Sequence, residues 1–499
     1  MELALQLLWS LRNEQLSIHQ IGDMMQLSAK QVTRKIKKWE AEGWIRYYAG
    51  KGRGHISSVQ WLQDIEEQLL IALNNEFKQK NFKALTDINM AYFSEGFQQK
   101  VATLLTENIV SDERKKASML TIPIYSKNLN LHPHNYRDTE SGWVLSHIYS
   151  RIVVQNNNTF QGDLIHHWEQ FGQRFVFYVR PYLYWHNGET VKIEEIIQSI
   201  KTTFMLNKYS HFFKKLISIE KLTNAAFEIT YMEEGEELLI LLSQLDFSLY
   251  HPLNYRIGTG AYKIAQDAKG VVQLAACSQY HLAQALINNI QFVTIPSTLQ
   301  RRLEWSMQQN MAQYQRFVEL GGVVSAYFNP FSNNLQEREV RLYMLWILKR
   351  FSQQIVQVDS LKSSCVHGAL FSPQRVDMPP LRIGYIVNQL KFVVALQKFC
   401  EEQGIQVEVI KLTIDDLPVN NLFAQVDLLL IGEYLAPTFI LENDKEHPLA
   451  IIFENSKDET WFAVLYESFR EIYYPFNFRR GEENIYGYPN LTKCWFGYK

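Results

Sequence analysis

Between Ser28 and Trp39 the chain concentrates side chains that bind phosphate: Lys30, Arg34, Lys35, Lys37 and Lys38, with Gln31 and Thr33 among them. A little further on, Gly50-Lys51-Gly52-Arg53-Gly54-His55 sets two more cations between glycines. Ammonium and guanidinium groups hold phosphate oxygens, and long donors such as Arg34 and Gln31 also reach base edges in a major groove. Glycines let a backbone come close to a polyanion. Lys30, Gln31, Thr33, Arg34, Lys35, Lys37, Lys38, Lys51, Arg53 and His55 are therefore the residues expected to touch double-stranded DNA.

Contacts of this kind need cations on a helix and on a hairpin beside it, and the flanking sequence supplies both elements. Ser17-Ile18-His19-Gln20 and Ser28-Ala29-Lys30-Gln31 are capping boxes, each able to satisfy orphan donors at a helix start. Ile21, Met24 and Met25 give the first short helix an apolar side. Val32, Ile36 and Trp39 recur at i, i+4 and i+7, one buried stripe on the second. Trp44–Tyr48 reads as a strand, Gly50–Gly54 as a turn and His55–Val59 as the returning strand, which together make a wing. Two short helices around a tight turn, the second basic, followed by a hairpin, form the pattern of a mainly-α winged helix-turn-helix.

A run of lysines on a helix is equally the mark of a solvated face, so the charge distribution has to separate the two. Residues 1–60 hold nine Lys and Arg against five Asp and Glu, and residues 61–499 hold 41 against 47. The net charge of −2 thus joins a basic head to an acidic body. From Trp61 to Lys116 the apolar spacing is helical (Ile65, Leu69, Leu73, Phe97, Val101, Leu105), and Asp112–Lys116 is a charged break. These helices either complete the head's core or form a homodimer surface, and the spacing does not choose. The head is placed at 1–116.

Other chemistry finds little support. No Gly-x-Ser-x-Gly, phosphate-binding loop, His-Glu-x-x-His or dinucleotide fingerprint occurs. His132-Pro133-His134 and His166-His167 lack companion ligands at metal spacing, so neither an enzyme nor a metal or cofactor protein is expected. Cys277, Cys365, Cys400 and Cys494 are widely separated, as ordinary reduced thiols are. The opening residues lack the features of a signal peptide, and no apolar run approaches the ~18 residues of a membrane span. A cytoplasmic protein without a membrane partner is expected, and 499 residues imply more than one domain.

The body carries a second pattern. Asp163-Leu164 is followed by Trp168, then by a strand ending at Arg180-Pro181, the turn Trp185-His186-Asn187-Gly188, and an amphipathic helix containing Ser199. Leu131-His132-Pro133 with Ser146–Tyr149, the loop Gly258-Thr259-Gly260-Ala261-Tyr262, and Glu339-Val340-Arg341 fall before and after it. This order resembles family 5 of the bacterial extracellular solute-binding proteins, with Ala261 where that family has proline. A winged helix ahead of such a domain resembles the SgrR-type transcriptional regulators.

The resemblance implies a two-lobed α/β domain of the periplasmic-binding-protein type (type II) over 117–499. Lobe I is expected at about 117–260 with a return at about 440–499, and lobe II at about 261–439. It implies a small-molecule effector, whether peptide, sugar or sugar phosphate, and by family position it marks Tyr125, Tyr149, Trp185 and Thr259 as ligand-binding residues. The rival expectation is a cytosolic solute- or peptide-binding protein whose head is an interaction module.

Overall fold

The computed structural model describes the chain apart from residues 15–16, 49, 51–57, 110–118, 126–128, 137, 157–158, 207–208, 234, 359–372, 387–389, 413–422, 434–460, 482–487 and 498–499. Three helices open the chain: α1 (Leu3–Ser10), α2 (Ile18–Met25) and α3 (Ala29–Ala41). Both capping boxes form. Gln20 N–H donates to Ser17 Oγ (3.3 Å) while Ser17 N–H donates to Gln20 Oε1 (2.9 Å), and Ser28 with Gln31 repeats the pair at the same distances. Each such cap contributes about 1 kcal/mol, which sets where both helices begin. The turn between them is tight because Gly22 has no side chain: a Cβ there would lie 2.6 Å from the Leu27 carbonyl oxygen. Val32, Ile36 and Trp39 are buried as their spacing requires, against Leu5, Leu8 and Ile21.

Strands β1 (Ile45–Tyr48) and β2 (Ser58–Trp61) pair antiparallel from Ile45↔Trp61 to Tyr48↔Ser58. Of the expected return strand His55–Val59, Ser58 and Val59 are paired in β2, and residues 55–57 lie outside the described residues. Lys51, Arg53 and His55 lie outside the described residues. Helices α4 (Ile65–Lys78) and α5 (Glu95–Ile109) follow. Asp64 caps α4, accepting from the Glu66 and Glu67 N–H groups at 2.8 and 3.1 Å. Their apolar residues Ile65, Leu69, Leu73, Phe97, Val101 and Leu105 are buried in the same core as α1–α3. Core completion, not an outward dimer surface, is what this spacing serves. The charged stretch Asp112–Lys116 lies outside the described residues.

The body begins with β3 (Met119–Ile124), α6 (Thr139–Ile148) and the hairpin β4 (Val153–Asn156) and β5 (Thr159–Gly162). Next come β6 (Ile165–Phe171), β7 (Arg174–Val179), α7 (Ile193–Phe204), α8 (Ser210–Lys215), β8 (Leu216–Lys221), β9 (Ala226–Tyr231) and α9 (Glu237–Ser243). Strands β6-β7-β9-β8 form an antiparallel sheet, and Ile193, Ile196 and Ile200 of α7 are buried in its core. A short hairpin, β10 (Tyr250–His251) and β11 (Asn254–Gly258), leads to β12 (Tyr262–Ala268), β13 (Val271–Ala276) and β14 (Asn289–Thr294).

These last three strands extend the sheet of β3 in the order β12-β13-β14-β3, with β14 parallel to β3 from Asn289↔Met119 to Thr294↔Ile124. A lobe boundary at 260 is therefore corrected: the residues just after it share a sheet with the first strand of the body. A parallel pair needs a long crossover, and the chain between Ile124 and Asn289 forms it, including the β6-β7-β9-β8 sheet.

After α10 (Ser297–Gln309) the chain enters β15 (Tyr314–Phe328), α11 (Arg338–Val358), β16 (Leu381–Ile386), α12 (Leu390–Glu402), β17 (Val407–Leu412), β18 (Leu428–Glu433) and β19 (Phe462–Pro475). Their sheet runs β17-β16-β18-β15-β19, with β16 parallel to both neighbours and β15 antiparallel to both of its own. Finally β20 (Phe478–Arg479) pairs with β21 (Trp495–Phe496). This end packs on the first lobe, where Trp143 Nε1 donates to the Pro489 carbonyl (2.9 Å) and Tyr262 Oη to that of Leu491 (3.3 Å).

Candidate functional site

On α3 the cations divide into two groups. Lys30, Arg34 and Lys37 recur at i, i+4 and i+7 directly opposite the Val32/Ile36/Trp39 stripe. All three are exposed, and none has an ion pair among the described residues. Lys35 is turned toward the head instead, its Nζ 2.8 Å from Glu2 Oε1. Lys38 lies 3.8 Å from the same oxygen and 3.7 Å from Glu42 Oε1. The Lys35 hydrogen bond, aided by the Trp39 indole and working against partial burial, holds the Glu2 carboxyl below the ordinary carboxylate range. Gln31 commits its Oε1 to the Ser28 N–H, which leaves only its amide NH₂ to donate outward. The Thr33 hydroxyl donates back to the Ala29 carbonyl (2.8 Å). So of seven polar residues expected on the helix, three present unpaired positive charge to solvent. The Glu2 pairing spans 33 positions, and no local spacing signals it.

The residues marked as ligand-binding are placed differently. Tyr149 and Trp185 are each 1 % exposed and Thr259 2 %. Tyr149 Oη donates to the Leu131 carbonyl (3.0 Å) and to that of Tyr255, tying the end of α6 to one loop and to β11. Trp185 Nε1 donates to Glu195 Oε2 (3.3 Å), and its ring meets that of His251 edge-on. The Tyr125 N–H donates to both oxygens of Glu140 (3.1 Å), and its phenol is pushed far up by burial and by Glu304 and Glu140. The polar atoms of Tyr149 and Trp185 are thus engaged in the first lobe's own packing. Thr259 Oγ1 is buried without a hydrogen-bond partner among the described residues, as is Ser248 Oγ.

What the Gly-Thr-Gly loop does is structural and exact in its demands on space. A Cβ on Gly258 would lie 2.2 Å from the Ile148 oxygen, and one on Gly260 2.5 Å from the His147 oxygen. Two histidines fasten this region. His186 accepts from Gly258 N–H at Nδ1 (3.2 Å) and donates from Nε2 to the Gly260 carbonyl (3.0 Å). His147 donates from Nδ1 to the Trp143 carbonyl (2.7 Å) and accepts from Leu491 N–H at Nε2 (2.9 Å). Burial pushes both down to about 4.

Sequence reasoning passed over His147 as an anchor, because its partner is 344 positions away. A histidine held neutral below its unfolded value stabilises the fold most above that value, near 6.5, and the contribution is lost as the pH falls toward about 4. For His147 this amounts to at most roughly 3 kcal/mol. The urea midpoint is expected to drop between pH 7 and pH ~4.5. His147→Gln, which keeps one donor and one acceptor, is expected to shrink that drop. An equal drop in both proteins would refute the assignment.

The remaining histidine pairs are accounted for locally. His134 Nε2 lies 3.0 Å from the Asp246 carbonyl, and His166 and His167 sit exposed on β6. Arg341, buried at the start of α11, donates to the Leu335 and Gln336 carbonyls (2.8 and 2.7 Å) and stacks over Trp461 at 3.8 Å. Among the described residues no group of three or more His, Cys, Asp or Glu could hold a metal ion, and no helix is long and apolar enough to cross a membrane.

No family model matches the chain. Among curated proteins it is 23 % identical over 291 residues to the uncharacterized protein YbaE of Escherichia coli K12, covering 58 % of this chain and 50 % of that one. It is 21 % identical over 299 residues to the HTH-type transcriptional regulator SgrR of Photorhabdus laumondii, covering 57 % and 52 %. To SgrR of Salmonella typhimurium it is 22 % identical over 296 residues, covering 57 % and 52 %. The chain spans about half the length of the curated relatives it matches.

Among solved structures, the oligopeptide-binding protein AppA of Bacillus subtilis, in complex with a nonapeptide, superposes with a TM-score of 0.58 at 12 % identity, covering 77 % of this chain and all of that one. NikA of Brucella suis, in complex with Fe(III)-EDTA, gives 0.60 at 13 %, covering 75 % and 99 %. At such identities the likeness shows the fold, which is that of the periplasmic-binding-protein type II domains. The chain is a distant relative of the SgrR-type regulators and carries the fold of the family 5 solute-binding proteins.

Proposed function

We propose that this protein is a cytoplasmic, DNA-binding transcriptional regulator. In this reading its head, residues 1–116, is a winged helix-turn-helix, and its body, 117–499, senses a small molecule or peptide and modulates DNA binding. One observation carries the reading: α3 holds Lys30, Arg34 and Lys37 unpaired on the face opposite its buried stripe, where a groove-binding helix needs them. The capped turn that orients α3 and the hairpin beside it support it, as do the curated relatives named as HTH-type regulators. Solved neighbours named for a bound peptide and a metal chelate support a solute-sized effector. Residues Lys51, Arg53 and His55 are proposed as the wing's phosphate contacts.

Fluorescence anisotropy of the full chain on a random-sequence duplex tests the head. Arg34→Ala is expected to weaken binding by about fivefold or more and to lower the slope of log affinity against log salt by roughly one, as the loss of a phosphate contact does. Lys35→Ala, whose charge already faces Glu2, is expected to change it less than about threefold. If both variants bind like the wild type, α3 does not read DNA, and the head is an interaction module of another kind.

A further inference from the structure

Strands β15 and β19 pair from Tyr314↔Pro475 to Tyr327↔Phe462, as a two-stranded ribbon up to Gly322 and beside β18 from Val323 on. Its ends belong to different cores. At one end Ala326, Phe328 and Leu465 are buried in the core of the far lobe. At the other, Tyr314 and Tyr473 are buried in the core of the head, with Leu105 of α5 and Leu303 of α10. Register shifts at Leu320/Gly322 and Val324/Ser325 fall between, beside the pair Gly321-Gly322, the kind of site where a strand ribbon bends.

The head is fastened to the near end by polar bonds as well as packing. Tyr314 Oη donates to the Thr106 carbonyl in α5 (2.6 Å). Gln291 Nε2, on β14, donates to the Lys80 carbonyl (3.3 Å) in the turn after α4. Lys80 itself adopts a left-handed conformation (φ 60°) and directs its ammonium to the Asn108 carbonyl at the end of α5. The connector is thus held at both of its helices.

We infer that α4 and α5 are a coupling element that seats the DNA-reading helices on the root of the interlobe ribbon, with Tyr314 as the positioning residue of the joint. Rotation of the far lobe about the Gly321-Gly322 bend then works against the head's own core. A head on a slack tether would gain nothing from lobe closure, because a ligand shifts only an equilibrium whose two states differ. Coupling is also reciprocal, so whatever binds the head must alter the ribbon. The functional consequence rests on the DNA-reading proposal, while the mechanical joint does not.

Hydrogen exchange on the full chain tests both parts, comparing wild type, Tyr314→Phe and Arg302→Ala with and without a random-sequence duplex at low salt. Without DNA, Tyr314→Phe is expected to speed exchange in α5 and in the near end of the ribbon together, by about five- to tenfold, since it removes one buried hydrogen bond and no volume from the packing. Arg302→Ala removes the 3.7 Å pair with Glu95 and a 3.3 Å hydrogen bond to the Thr298 carbonyl in its own helix, and is expected to leave both segments unchanged. With DNA, protection of residues 314–328 and 462–475 is expected to rise in the wild type. That rise is lost in Tyr314→Phe although the variant still binds duplex. Faster exchange in α5 alone, or in neither segment, overturns the joint, as does DNA binding that leaves the ribbon unchanged. Failure of the wild type to bind DNA sinks the DNA-reading proposal instead, and the DNA-free comparison still decides the joint.

Discussion

Gly258→Ala is expected to destabilise the full chain by roughly 3 kcal/mol or more, which places it among the severe substitutions. The added methyl would meet the Ile148 carbonyl oxygen at 2.2 Å and the Tyr149 ring at 2.7 Å. Neither can withdraw cheaply. The Ile148 oxygen accepts the Gly260 N–H at 2.9 Å, and the Tyr149 hydroxyl is held by two carbonyls. Gly258 N–H is also the donor to His186, so a shift of the loop would strand a buried imidazole nitrogen. A urea titration followed by tryptophan fluorescence reads the effect directly. A wild-type midpoint in the variant would mean the loop has room that the structure denies it, and the account of why Gly-Thr-Gly stands here would be wrong.

The second large effect concerns affinity. Replacing Lys30, Arg34 and Lys37 together by alanine is expected to lower duplex-DNA affinity by about 10²–10³-fold at moderate salt. It should also flatten the slope of log affinity against log salt by roughly two to three, about one for each phosphate contact removed. The fold should survive, because none of the three is buried or paired among the described residues and Val32, Ile36 and Trp39 remain to hold the helix. The matched control replaces Lys35 and Lys38. That pair removes two charges rather than three from the same helix but faces Glu2 and Glu42, so its slope should stay within about one of the wild type. Equal slopes for the two variants would show that overall charge, not the geometry of one face, governs binding.

Local features of this protein were legible from its residues, and long-range ones were not. The two capping boxes and the Val32/Ile36/Trp39 stripe depend on neighbours three or four positions apart, and sequence spacing reports such distances directly. By contrast, Lys35 looks like a free cation until Glu2 folds against it from 33 positions away. The boundary placed at 260 missed because alternation in β12–β14 says which side is apolar but not which strand is the partner, and that partner is β3, on the far side of a long crossover. Tyr149 and Trp185 illustrate a different limit. A large aromatic with a polar tip suits a ligand pocket and a lobe core equally, so residue type alone does not say how deeply it is packed, and both side chains are buried. The Gly-Thr-Gly resemblance located a real constraint, but its cause is the close approach of the Ile148 and His147 carbonyls to the loop, which only the tertiary structure reveals.

The central claim is that α3 reads DNA sequence on behalf of a solute-binding body. In vitro selection from a random duplex pool, performed with the full chain and with Arg34→Ala in parallel, tests it most directly. The account predicts that the wild type enriches a shared short motif over successive rounds, and that the variant loses or relaxes that preference while retaining weak, salt-sensitive binding. A wild-type pool that remains random, or the same motif enriched equally by both proteins, would contradict it.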